Sequence, residues 1–214
     1  MATARKWSNV AIAMQSALAA EKTITAITKA DPGVATCTAN GFTNGDYLFL
    51  EVQGMHQVNY RVVRVASVAT DSFALEGIDT TDFDTFTSGT AKKITFGTSI
   101  TTATSLSASG GDFDFIDTTT IHQNSKTQMP GLPNAATYSF DNIWDVSDVG
   151  LLAMKDASDA QGVRAFKFTF GTGGQIMVFA GYVGANLLPG GSSQALVTTS
   201  SVITMQGTPS YYAS

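Results

Sequence analysis

Along most of the chain, apolar residues fall at every second position, the period of a strand with one buried face. In "VAIAMQSA", Val10, Ile12 and Met14 follow this rule. The alanines between them suit a helix as well, so periodicity leaves residues 9–20 open between strand and helix. "TITAITKADPG" predicts a strand closed by a turn at Asp31-Pro32-Gly33, and Asn40-Gly41 and Asn44-Gly45 mark two more turns. "YLFLEVQG", "YRVVRVASVA" and "DSFALEG" predict three strands at the spacing of a small sandwich or barrel, followed by a long acidic loop or edge, "GIDTTDFDTFTSGT". Later strands are predicted over 103–117, 135–144, 163–170, 174–188 and 194–206, with a hairpin turning at Gly171–Gly174. One stretch departs from the alternation. "DVSDVGLLAMKDASDAQG" predicts an α-helix over about 147–160, with Ser147 as cap and Asp148 complementing the dipole. Its apolar stripe would be Val149, Leu151, Leu152 and Met154, with Gly162 ending it. The fold class is therefore mainly β.

Composition sharpens this picture. Charged residues make up only 14% of the 214, against 43% hydrophobic. Few charges leave strand edges open to pairing, which favours a chain that assembles with itself. The net charge of −5 argues against gripping phosphate backbones, without excluding a surface along which nucleic acid slides. Cys37 is the only cysteine, so no internal disulfide forms, and "VATCTANG" reads it as a small apolar strand residue. The start, "MATARKWSNVAIAMQSALAAEK", lacks a solid hydrophobic block and reads as mature protein. No run approaches 18 apolar residues, so a soluble chain without membrane insertion, made in a reducing cytoplasm, is expected.

The stretch "DFDFIDTTTIHQNSKTQMPGLP" holds the densest candidate chemistry, with Asp112, Asp114, Asp117 and His122. Paired carboxylates could exchange protons or hold a divalent cation. The plainer reading is a half-buried strand with Asp112 and Asp114 on its wet face and Phe113 and Phe115 inward. His56 is remote from His122 and no HxH or HExxH spacing occurs, so no catalytic residue, metal ligand or cofactor is assigned. "GTGGQ" and "PGGSSQ" lack the lysine of a phosphate loop and read as turns. Residues 118–135 are long for a strand connection and without period, as loops ordered by a partner often are. Ile121, Met129 and Leu132 there would be wasted in solvent but could fill a neighbour's groove.

The order of these elements carries a family likeness. "DFDFIDTTT", a polar loop closing in "PGLPNAATYSFDN", one short helix, "FKFTFGTGGQIMVFAGYV" and a last strand ending near "QGTPSYY" resemble the major tail tube protein of long, non-contractile-tailed bacteriophages. The likeness covers 93–214 and about 5–20. Residues 23–92 are similar to the small β-barrel called the first catalytic cysteine half-domain of ubiquitin-activating enzymes, a fold likeness without cysteine chemistry. The resemblance implies a tube domain of 1–22 and 93–214, a two-sheet β-sandwich or barrel with a flanking helix, and an inserted, outward-facing module of 23–92.

It further implies a structural virion protein and no enzyme: hexameric rings stacked into a tube, whose acidic lumen conducts DNA during ejection. The partners implied are other copies, then tape measure, terminator and tail-tip proteins, and passing DNA. The implied location is the phage tail, after assembly in the host cytoplasm. The inter-ring loop would be Asp117–Asn134, including Asp117, Thr118, Ile121, His122, Lys126, Met129, Pro130, Leu132 and Pro133. Asp112, Asp114 and Asp141 are the candidate lumen acids, and 1–9 and 207–214, with Trp7, Tyr211 and Tyr212, candidate assembly arms. Three rivals stay open. They are a terminator or tail-tip ring of the same fold, a carbohydrate binder using Tyr47, Tyr60 and Trp144, and a metal hydrolase using Asp112, Asp114 and His122.

Overall fold

The computed structural model describes residues 7–171 and 174–213. The ambiguous first segment is a strand, β1 (Val10–Leu18), with Ile12 and Met14 buried and its alanines facing outward or half-covered. Short strands β2 (Lys22–Ile24), β3 (Ala26–Ile27) and β4 (Val34–Thr36) follow, then β5 (Tyr47–Gln53), β6 (Val62–Ala69) and β7 (Ser72–Leu75). The acidic stretch after β7 is irregular as far as Thr87, and its last three residues, 88–90, open the next strand. The long β8 (Ser88–Ile100) leads to β9 (Ala103–Ser109). Next come β10 (Phe113–Asp117), β11 (Gln128–Pro133), β12 (Thr137–Ile143) and the helix α1 (Val149–Asp159). The chain ends in β13 (Val163–Phe170), β14 (Ile176–Ala185) and β15 (Thr198–Tyr212).

Among the described residues, thirteen strands join one curled antiparallel sheet in the order β3-β4-β7-β6-β5-β8-β1-β13-β14-β15-β12-β9, with β2 also on β8. β8 ties its two halves together. Its first residues pair with β2 and β5, whereas 94–100 pair with β1. Three cores follow from this layout. Ile24, Leu50, Val65, Phe73 and Ala91 belong to a cluster built wholly from residues 24–91, with Cys37 buried inside it as expected. Phe140, Phe166, Phe168 and Phe179 centre a second cluster with Met14, Ile100 and Ile203. A third, including Phe49, Val62, Ile94, Val178 and Tyr212, fills the seam between them.

The seam is also polar. Arg64 grips both Glu76 oxygens, at 2.6 and 2.5 Å, and stacks over the Tyr212 ring at 4.6 Å. The Tyr212 hydroxyl accepts the backbone N–H of Arg64 at 2.8 Å, and Arg61 Nε donates to Ser210 Oγ at 2.9 Å. Burial pushes the Tyr212 phenol above its ordinary pKa, so it stays a neutral acceptor. The end of the chain is therefore the last part of β15. Gly207, Thr208 and Tyr211 there are exposed and Tyr212 is buried, so the expected assembly arm 207–214 is sheet strand over 207–212. Of the expected arm 1–9, residues 1–6 lie outside the described residues; Trp7 rests on Phe170 with ring centroids 5.5 Å apart.

The helix is shifted in phase from expectation. Asp148, not Ser147, is its cap, accepting the Leu151 N–H at 2.8 Å. The buried face is Gly150, Leu151, Met154 and Ala157; Val149 and Leu152 face solvent. Gly150 is there because the helix lies against β8: a Cβ would stand 2.5 Å from the Ser99 carbonyl oxygen. The helix stops at Ala160, and Gln161, with φ 49°, takes the left-handed turn expected of Gly162.

Candidate assembly surfaces

The predicted strand 103–117 is two strands. Gly110 and Gly111, with φ 82° and 85°, turn the chain off the sheet, and a Cβ on Gly110 would stand 2.4 Å from the Ala135 carbonyl oxygen. Beyond them β10 and β11 pair only with each other, as a two-stranded ribbon. The polar loop is thus shorter than expected, because Met129, Pro130, Leu132 and Pro133 sit in β11. Prolines fit there since a ribbon's outer edge needs no N–H donor.

The tip is closed by its own polar groups. Thr118 N donates to the Thr127 carbonyl at 2.9 Å, and Thr119 N to Asp117 Oδ1 at 2.8 Å. The hydrogen bonds from the Thr119 side chain and backbone hold the Asp117 carboxyl below its usual pKa. Thr120 N and Thr127 Oγ1 both donate to Gln123 Oε1. The apolar side chains have no such partners. Ile121 is 96% exposed and Leu132 85%, and Phe113, Phe115, Ile116 and Met129 are all exposed. So Phe113 and Phe115 do not line a core, which corrects the half-buried reading. Open apolar surface of this kind is what interaction sites present.

The expected acids do not come together. Asp114 is on the ribbon, accepting from Asn134 Nδ2 at 3.1 Å, and Asp112 stands at its base. Asp141 lies on β12 in the main sheet and accepts from Ser105 Oγ at 2.6 Å. His122 and Lys126 are exposed at the ribbon tip. Among the described residues no three His, Cys, Asp or Glu side chains form a metal-holding group, and no helix is long and apolar enough to cross a membrane.

The outer face around Asp141 has a distinct chemistry. In register across β9, β12 and β15 stand Ser105–Asp141–Ser200, Ser107–Ser139–Val202 and Ser109–Thr137–Thr204. Asp141 is the one charged residue of these three strands. Serine and threonine hydroxyls make most of this surface.

Two surfaces went unnoticed in the sequence. One is a cleft of about 600 Å³ lined by Trp7, Phe170, Ile176, Met177 and Tyr211. Its lining takes in both Trp7 and Tyr211, so residues from both ends of the sequence meet there, and only the aromatic residues Trp7, Tyr211 and Tyr212 hinted at it. The other is the loop 186–197, folded back on Trp144. Trp144 Nε1 donates to the Leu187 carbonyl at 2.8 Å, and Trp144 N to that of Val197 at 3.0 Å. This holds Leu188 and Leu196 outward, 67% and 66% exposed. Of the three residues of the carbohydrate reading, Trp144 is turned onto this loop and Tyr47 packs between Phe96 and Tyr212, whereas Tyr60 is exposed and stacked on Phe49.

A family model described as phage tail tube protein, TTP, matches residues 53–214, from the last residue of β5 to the end of the chain. No curated protein matches the chain.

Proposed function

The chain belongs to the phage tail tube protein family, and on that premise we propose that it is the repeating subunit of a long, non-contractile tail, forming hexameric rings that stack into a tube and conduct DNA. As a tail tube protein it is a structural component of the virion tail. The observation that carries the stacking is the β10–β11 ribbon, a folded projection with apolar side chains that its own chain leaves open. Its residues Asp117, Thr118, Ile121, His122, Lys126, Met129, Pro130, Leu132 and Pro133 would make the inter-ring contact.

The β9–β12–β15 face would line the lumen. Hydroxyls and one carboxylate per subunit offer phosphates nothing to grip, whereas lysines would hold DNA by releasing its counterions. Asp141 is the lumen acid best supported by its position; Asp112 and Asp114 travel with the ribbon. Residues 23–92 would be the inserted barrel, projecting outward, with terminator, tape measure and tail-tip proteins as further partners.

Excision of the ribbon tip tests this. Thr118 and Thr127 already face each other, so a two-residue Asn-Gly turn can replace 119–126 without disturbing β10 or β11. The expected product is a folded monomer with an unchanged unfolding midpoint that forms no tubes. Tubes of normal length from this variant would contradict the role of the ribbon.

A further inference from the structure

If copies stack through the ribbon, as proposed above, its tip must meet a receiving surface elsewhere on the same chain. A head-to-tail contact is heterologous and joins two different patches. The ribbon leaves the sheet where β9 ends and β12 begins, at the paired Ser109 and Thr137. The cleft of Trp7 and Tyr211 is at this same pole, since Met177 and Tyr211 also line the hollow at the ribbon base. A stacked neighbour would present the opposite pole.

That pole is where β12 ends and β15 begins, at the paired Ile143 and Thr198. Seven residues of β12 separate the two poles, about 20 Å at strand rise. There the loop 186–197 and the turn after β12 hold Ile143, Val146, Leu188, Leu196 and Val197 exposed. The bridge between Gly190 and Thr198 and the two Trp144 hydrogen bonds keep the loop in this shape, so the patch is built before any partner arrives.

Charge points to the same pairing. Residues 118–127 contain Lys126 and His122 and no acid. Residues 143–149 and 186–198 contain Asp145 and Asp148 and no base. Lys126 forms no ion pair among the described residues. We infer that the patch of Val146, Leu188 and Leu196, rimmed by Asp145, receives the ribbon tip of a second copy, with Ile121 entering among the leucines and Lys126 meeting the carboxylate rim.

Thiol cross-linking distinguishes this patch from the cleft. Ile121→Cys is combined with Leu196→Cys in one chain and with Tyr211→Cys in another, and each is treated with a short bismaleimide after assembly. All three positions are exposed, and the native Cys37 is buried. The Ile121→Cys/Leu196→Cys chain is expected to give a ladder of linked copies, and single-cysteine chains none. Tubes in which Ile121→Cys links to Tyr211→Cys but not to Leu196→Cys, or to neither, would overturn the inference while leaving the tube reading intact. Absence of tubes from the unmodified chain would sink the tube reading and this inference with it.

Discussion

The Tyr212 hydroxyl accepts an N–H from Arg64, 148 positions earlier in the chain, and its ring lies under the Arg64 guanidinium. One side chain near the C-terminus thus fastens β6 to β15 and closes the seam between the two larger cores. In Tyr212→Phe the ring contact survives, but a part-buried N–H loses its acceptor. A cost of about 1 kcal/mol is expected, at the low end for an orphaned donor, read as a lower urea midpoint with an unchanged m-value. No change in midpoint would show that water replaces the phenol without loss. Single residues were the least legible level of the sequence. Arg64, Glu76 and Tyr212 carry no local signal of their meeting. Asp112 and Asp114 drew attention because they cluster with Asp117 and His122, and they are exposed, Asp112 at the ribbon base and Asp114 on the ribbon.

Elements were far more legible, and their failures have causes. β13 occupies 163–170 as the alternating phenylalanines predict, and the three strands after the first turns fall within a few residues of expectation. The predicted strand 103–117 is two because alternation continues on both sides of Gly110-Gly111 and hides the turn that this pair makes. β11 was hidden by its two prolines, which demote a central strand but not a ribbon edge. The helix was found, yet its stripe was phased one residue off: with Leu151 and Leu152 adjacent, hydrophobicity alone does not choose between them. The close approach to β8 at Gly150 does choose. Leu151→Ala is accordingly expected to cost about 2–5 kcal/mol as a core truncation, whereas Leu152→Ala should change stability by under about 1 kcal/mol. Thermal unfolding of the pair checks this, and equal losses would contradict the assigned face.

On the scale of the whole molecule, the low charge and the open apolar surfaces belong to one account. A monomer seldom leaves a ribbon, a cleft and a leucine patch all uncovered, and a chain with few charges has little to keep its edges apart. In the proposed closed ring and stacked tube each of these surfaces would meet another copy, and the hydroxyl face would be left to border the lumen. The long β8, shared by both halves of the sheet, makes the residues of 23–92 a firmly mounted part of the subunit, held by strand pairing and by the Arg64–Tyr212 contact together. The most direct test of the central claim is negative-stain electron microscopy of the purified full-length chain. Hollow tubes of stacked six-fold rings are the predicted result; discrete monomers at every concentration, with the ribbon intact, would contradict it.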